Sequence, residues 1–262
     1  MTEADDSDRY RAPALDKGLD ILELLAEADE PLSQAEIAKA LDRSPNEIYR
    51  MLDRLVRRDY VRRTAAERYE VTLKLFELGH ARPPMRRLVS QAVPVMRQMA
   101  LRAEQPCHLV VRDRNELVVV AQVDGPHNWN VSIRVGSHVK LVNSGSGNVF
   151  LAFADAEDRA LMLEEQVSGQ AQVLDRQTEA HLEMVRARGY ETIPSMQAHG
   201  INNLSAPIFG PLGSVIAALT CPYAILIDRP NSPAPDAVLA LLLQASRDIS
   251  RRSAPEERGQ GG

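Results

Sequence analysis

Two helix-start signatures, Ser33-Gln34-Ala35-Glu36 and Ser44-Pro45-Asn46-Glu47, stand eleven residues apart near the beginning of the chain. In each, a Ser hydroxyl is placed to cap a free backbone N–H, and a Glu three residues on is placed to reach back to the Ser amide. The second also carries Pro at the first helical position, where a missing N–H costs nothing. The spacing leaves room for one short helix, a tight turn at Leu41-Asp42-Arg43, and a second helix. That is the outline of a helix-turn-helix, and it points to double-stranded DNA as a partner.

The flanking pattern completes a small domain. Leu15, Leu19, Leu22 and Ala26 recur at helical spacing over residues 14–28. Ile37 and Leu41 are the buried positions of 33–41, and Ile48, Met51, Leu52 and Leu55 form the inward stripe of 44–58. Asn46, Tyr49, Arg50, Asp53, Arg54 and Arg57 are left outward. Tyr60-Val61-Arg62-Arg63 and Arg68-Tyr69-Glu70-Val71 alternate as two short strands around residues 64–67. Three helices and a hairpin make a winged helix. Leu73, Leu75, Phe76 and Leu78 are expected to pack as a short closing helix over 73–79, with Gly79 as its stop.

A mildly negative net charge of −5 argues on its face against a nucleic-acid partner, but the average hides the distribution. Residues 1–42 hold four basic and twelve acidic side chains; residues 43–74 hold nine basic and five acidic. Over a Debye length of about 8–10 Å it is the local excess of positive charge that acts. The plain alternative is a solvated charged helix face. No apolar run approaches the roughly 18–20 residues of a bilayer span, and residues 1–8 lack the basic and apolar parts of a signal peptide. Cys107 and Cys221 lie in apolar runs and read as buried free thiols, and the six His are scattered without metal-ligand spacing. A cytoplasmic protein without membrane association, metal or cofactor is expected.

Pro83-Pro84 marks a boundary. Beyond it, residues 85–104 read as an amphipathic helix weakened by Pro94. Strands follow over 107–112, 116–123 and 129–135, with a turn at Asp113-Arg114-Asn115. Helices are expected over 145–153, 157–167 and 175–188, the last ended by Gly189. Strands return over 190–193, 203–209 and 214–221, and a final helix spans 234–251. The fold class is α+β: a winged helix-turn-helix over 1–80, a linker helix over 81–104, a mostly antiparallel sheet with packed helices over 105–252, and a frayed tail over 253–262.

In a helix-turn-helix the start of the second helix reaches base edges. The candidates are Ser44, Asn46, Tyr49 and Arg50, with Arg54 one turn on. Asn and Arg can each bond a base edge with two hydrogen bonds, which gives about 1–3 kcal/mol of discrimination per pair. Ser33 and Gln34 would meet phosphate at a helix N-terminus, and Arg62, Arg63 and Arg68 would line the wing. Glu47 is poorly suited to a phosphate surface; as the return arm of a capping box its carboxylate is spent on Ser44. The alternative is that it accepts from a cytosine amino group.

Residues 14–22 (Ala-Leu-Asp-Lys-Gly-Leu-Asp-Ile-Leu), with Leu32-Ser33, Ile37-Ala38, residues 48–52, Leu55 and Tyr60-Val61, resemble the N-terminal domain of IclR-type transcriptional regulators. The resemblance continues through Arg134-Val135-Gly136, Ser144-Gly145-Ser146-Gly147, residues 151–153, Arg188-Gly189-Tyr190, Ala206-Pro207-Ile208 and residues 217–220. It implies a C-terminal effector domain resembling GAF and profilin-like sheets, a homodimer or dimer of dimers, a pseudo-palindromic operator, and a small organic effector that is often a carboxylate. Several positions depart from the family pattern. Asn46-Glu47 replaces a common Ser-Thr, Asn148 a Lys, and Asn203 a Cys, while Thr220 and Pro222 fall where ligand-contacting serines are found.

Ser144, Gly145, Ser146 and Gly147 begin an apolar helix, whose free N–H groups favour a carboxylate; a plain Ser-capped helix start is the alternative. Under the resemblance the remaining walls are Asn128, Trp129, Val131, Ile201, Asn203 and Thr220. Trp129 reads equally as a core or rim aromatic. His199 is a surface-loop residue or an anion contact, and His108 a packed or hydrogen-bonded core residue. The reading is a ligand-responsive DNA-binding transcriptional regulator. One alternative is a DNA-binding oligomer without a functional ligand pocket. The other is a small-molecule enzyme fused to a helical domain, with Ser144 or Cys107 as nucleophile, although neither lies in a nucleophile motif.

Overall fold

The computed structural model describes residues 12–81, 83–114, 116–164 and 174–253. Residues 1–11, Asn115, the end of the expected 157–167 helix and the tail beyond Ser253 lie outside the described residues. The chain divides into two compact units, with the division between Pro83 and Pro84.

The first unit contains α1 (Pro13–Glu27), α2 (Gln34–Ala40), α3 (Pro45–Arg57), the antiparallel pair β1 (Val61–Arg63) and β2 (Tyr69–Val71), and α4 (Lys74–Ala81). Its core is Ile21, Leu22 and Leu25 of α1, Ile37 and Ala38 of α2, Ile48 and Leu52 of α3, with Val61 and Tyr69 from the hairpin. Leu32 forms a backbone bridge to Tyr69, adding a single-residue third strand on the other side of β2. The turn between α2 and α3 is tight because Arg43 N–H donates to the Ala38 carbonyl at 2.9 Å while Asp42 takes a left-handed φ of 50°.

Of the four α1 residues at helical spacing, Leu22 is buried together with Ile21 and Leu25, while Leu15, Leu19 and Ala26 are exposed. The spacing is helical in both cases; only the set that meets α3 is buried. Gly79 does not stop α4, which continues to Ala81, and Leu73, Leu75, Phe76 and Leu78 are exposed. A glycine ends a helix only where the chain turns left-handed, and at Gly79 it does not.

In the second unit α5 (Pro83–Ala103), β3 (Cys107–Asp113), β4 (Glu116–Val123), β5 (His138–Val139), α6 (Gly145–Phe153), α7 (Ala156–Glu164), α8 (Arg176–Arg188), β6 (Glu191–Pro194), β7 (Ile201–Phe209), β8 (Val215–Ala224) and α9 (Pro235–Ser253) follow in order. The strands form an antiparallel sheet in the order β5-β4-β3-β8-β7-β6. On one face α5 and α9 bury Ala92, Met96, Met99, Val238, Leu242 and Ile249 against Cys107, Leu109, Ala206, Leu219 and Cys221. On the other, α6, α7 and α8 bury Val149, Phe150, Leu151, Met162, Leu182 and Val185 against Val110, Leu117, Val119 and Ala218. Pro94 lies inside α5 without ending it. α8 does end at Gly189, whose φ of 86° is left-handed.

The strand expected over 129–135 does not form. Asn130 ties this segment to itself, accepting from Gly125 N–H at 2.8 Å and donating to the His127 carbonyl at 2.6 Å. The short β5 takes the place beside β4.

Candidate functional site

The α2–turn–α3 surface is built by its caps. Ser33 Oγ accepts from Glu36 N–H, and Glu36 accepts from Ser33 N–H at 2.7 Å. At α3, Glu47 accepts from Ser44 N–H at 3.2 Å and from the Ser44 hydroxyl at 2.8 Å. Glu47 also accepts from Lys17 of α1 at 2.6 Å, a partner that lies thirty residues away in sequence. The lysine bond first, and the two Ser44 bonds next, pull the Glu47 carboxyl down to about 2. The carboxylate is therefore fully occupied within the protein. Gln34 joins the two helices by donating to the Pro45 carbonyl at 2.9 Å.

The outward face of α3 contrasts with the wing. Asn46, Tyr49, Arg50 and Arg54 are exposed, and among the described residues no side-chain partner holds them. Arg58, one further turn along and absent from the sequence-based set, shares this state; the i, i+4, i+8 spacing of Arg50, Arg54 and Arg58 was its signal. The wing arginines are engaged. Arg62 bonds Glu70 at 2.6 Å, and Arg63 pairs with Glu67 and lies 5.9 Å over the Tyr69 ring. Arg68 donates to the Pro31 carbonyl at 2.6 Å and to Glu36 at 2.7 Å, clasping the wing to the start of α2.

In the second unit the Ser144-to-Gly147 segment starts α6, with Ser144 Oγ accepting from Gly147 N–H at 3.0 Å. Gly145, Ser146 and Gly147 are buried against the sheet. Ser146 Oγ meets Thr220 Oγ1 of β8 at 2.8 Å, and Thr220 Oγ1 meets Ser205 Oγ of β7 at 2.8 Å. A Cβ on Gly145 would press on Ser205 and Asn203, so the glycine is what lets the helix start approach β7. The first-turn amides at Gly145 and Ser146 have no intrahelical acceptor, which leaves a positive helix end beside three hydroxyls.

The same helix start is fastened on its other side by Asn148, which donates to Glu191 at 2.7 Å. Glu191 is fully buried and also bonds His181 of α8 at 2.6 Å, Arg188, and the Thr192 amide. Sequence reasoning missed this knot, because its members come from three separate elements.

The structure groups Ser144, Gly145, Ser146, Gly147, Asn203 and Thr220 around the α6 start. Ile201 is buried further along β7 and pairs with Ala224. Asn128 and Trp129 belong to a different place, a groove of about 320 Å³ shared with Ile225, Leu226 and Asp228. Trp129 is 61% exposed there, and Val131 is half-buried. Neither cysteine has reactive character. Burial alone pushes the Cys107 thiol up to about 12, and Cys221 is raised as well. Among the described residues no cluster of His, Cys, Asp and Glu could hold a metal, and no helix is long and apolar enough to cross a membrane.

Family comparison places both units. The model described as bacterial transcriptional regulator IclR C-terminal matches residues 85–251, and that of the IclR helix-turn-helix domain matches residues 14–65. The chain belongs to the IclR family. It is thereby a DNA-binding transcriptional regulator, and the IclR-family relatives it matches are regulators, not enzymes. It is 28% identical to the HTH-type transcriptional regulator KdgR of Escherichia coli, over 88% of each chain. It is 27% identical to the HTH-type transcriptional repressor AllR of the same organism, over 80% of this chain and 79% of that one. The crystal structure of Pseudomonas aeruginosa HmgR superposes with a TM-score of 0.72 at 27% identity, covering 92% of this chain and 99% of that one. An IclR homolog of Microbacterium hydrocarbonoxydans, crystallised with 4-hydroxybenzoate, has the same fold, with a TM-score of 0.72 at 23% identity over 92% and 98% of the two chains.

Proposed function

We propose that the protein is an effector-responsive regulator that reads an operator through α3 and senses a small organic carboxylate at the start of α6. The carrying observation is the division of charge on the first unit. Arg50 and Arg54 stand unpaired beside Asn46 and Tyr49, while Glu47 is withdrawn into bonds with Lys17 and Ser44. A helix face with free guanidinium and amide groups, whose carboxylates Glu47 and Asp53 are tied to Lys17 and Arg57, is suited to base edges and phosphate. Resemblance to the family supports a symmetric arrangement, in which two copies of the winged helix would read an inverted repeat.

The effector reading is supported by the buried α6 start. Its free amides and partial positive charge favour an anion, and the chain of Ser146, Thr220 and Ser205, three O–H groups with two bonds among them, has one O–H left to donate. The ligand would act by its differential affinity for two arrangements of the assembly.

Selection from a pool of random duplexes tests the first half: the chain is expected to enrich an inverted repeat. On that repeat Arg50→Ala should weaken binding by at least roughly tenfold, the loss of one bidentate base contact, with the melting temperature unchanged. Undiminished binding by Arg50→Ala would reject the reading face. Calorimetric titration with small carboxylates tests the second half.

A further inference from the structure

Five consecutive strands place a polar residue at one level of the sheet. Gln122 of β4 is opposite His108 of β3, His108 is opposite Thr220 of β8, Thr220 is opposite Ser205 of β7, and Ser205 is opposite Glu191 of β6. Directly opposed residues of antiparallel strands share a face. Thr220 reaches Ser146 of α6, so the whole row lies on the α6 face; Cys107 and Leu109, on either side of His108, belong to the opposite core. The Glu191, Ser205 and Thr220 end of the row is bonded to protein groups.

The other end is not. His108 is 3% exposed, and its Nδ1 has no hydrogen-bond partner; the buried Oε1 of Gln122 has none either. The Gln122 amide has a defined orientation, because its Nε2 donates to Asp124 at 3.2 Å and to the Val123 carbonyl at 3.3 Å. Its inward atom is therefore the acceptor. Leaving such groups unpaired costs about 1–3 kcal/mol each, a penalty that strand positions filled by Val or Leu would avoid.

We infer that His108 and Gln122 are specificity-determining residues for the effector, and that they recognise a hydroxyl group on it. A hydroxyl is suited to both: it donates to Gln122 Oε1 and exchanges a hydrogen bond with the imidazole nitrogen. Burial holds His108 neutral, its pKa pulled down to about 4. The inference rests on the carboxylate being seated at the α6 start. Strands are roughly 4.8 Å apart, so His108 and Gln122 stand about one and two spacings from Thr220, on the same face of the sheet as that start. The ligand class is then a hydroxycarboxylic acid with its hydroxyl about 5–10 Å from the carboxylate.

Two measurements on the full chain test this. Without ligand, His108→Leu should melt at or above the wild-type temperature, because it removes an unpaired buried polar group, and Gln122→Met close to it, because relief of the unpaired Oε1 offsets the lost Nε2 bonds to Asp124 and Val123. A fall of several degrees, or a failure to fold, would show that the pair serves the fold and would overturn the inference. With ligand, calorimetry compares 5-hydroxypentanoate with pentanoate and 4-hydroxybenzoate with benzoate. The wild type should prefer at least one hydroxylated acid by roughly tenfold to a hundredfold, and both variants should lose that preference. Equal affinity within both pairs overturns the hydroxyl inference and leaves the carboxylate reading standing. Absence of binding by all four acids refutes the carboxylate reading, and this inference with it.

Discussion

Gly145 and Gly147 are two residues apart on one helix turn, and the structure assigns them opposite consequences when a methyl group is added. At Gly147 the new Cβ would lie 2.5 Å from the Leu141 carbonyl carbon and 2.8 Å from the Lys140 carbonyl oxygen. Both are backbone atoms of the segment leading into the helix, so the helix start must move by roughly an ångström. Overpacking of this kind costs about 1–3 kcal/mol or more, and the gain in helix propensity returns at most about 1 kcal/mol. Gly147→Ala should therefore destabilise the second unit by about 1–2 kcal/mol, a fall of roughly 2–8 °C for a unit of this size. At Gly145 the obstacles are the Ser205 hydroxyl and the Asn203 Cβ, 3.1 Å away. Ser205 can rotate, at the cost of its bond to Thr220, about 1 kcal/mol, which the propensity gain nearly offsets. Gly145→Ala should melt close to wild type yet lose effector binding, because the methyl group fills the approach to the free amides. Circular dichroism melts of the two variants, with carboxylate titration of each, decide the matter. If Gly147→Ala is as stable as wild type, or Gly145→Ala is the less stable of the two, the close approach of α6 to its neighbours has been misjudged.

Glu47 makes the first unit acid-sensitive. Its folded carboxyl titrates at about 2 against an ordinary 4.5, so the stabilisation is fully present above about pH 4.5 and is lost as pH falls towards 2. Glu47→Ala should lower the melting temperature at neutral pH, flatten the decline in acid and leave the preferred DNA bases unchanged; a changed base preference at unchanged stability would show that the carboxylate meets DNA. Cys107 and Cys221 should resist alkylation in the folded protein at pH 8 and react only on denaturation, as mass spectrometry of the iodoacetamide-treated chain would show.

The parts of this chain that were legible in its sequence are those whose cause is local. Ser33 with Glu36, Ser44 with Glu47, and Gly189 at its left-handed turn each act within a few residues, and each marks the helix boundary that forms. The alternation over 129–135 misled because the Asn130 amide bonds within its own loop, which a period-two pattern does not register. Leu15 and Leu19 share helical spacing with buried residues, but burial depends on where α3 lies. The polar row was invisible for a longer-range reason. His108 and Gln122 look like single polar interruptions in apolar strands, and only the pairing of β3 with β8 places them in line with Thr220 and the start of α6. The Lys17 bond that withdraws Glu47 is likewise a product of packing between α1 and α3.

The pairing of the wing arginines bears on how the protein would respond to salt. Each basic group that neutralises a phosphate releases condensed counterions, and the logarithm of affinity falls by about 0.9 per contact for each logarithm of salt. Nine basic residues over 43–74 would suggest a slope of roughly −8 per winged helix. But Arg62, Arg63 and Arg68 each already hold a glutamate, Arg57 holds Asp53, Arg43 faces Asp20 and Lys74 faces Glu77. A basic group that keeps its carboxylate displaces little of the ion atmosphere, so the response falls to Arg50, Arg54 and Arg58, a slope of roughly −3. A regulator built in this way would hold its operator across swings in cellular ionic strength that loosen a more openly cationic one, and its occupancy would be left to follow the effector.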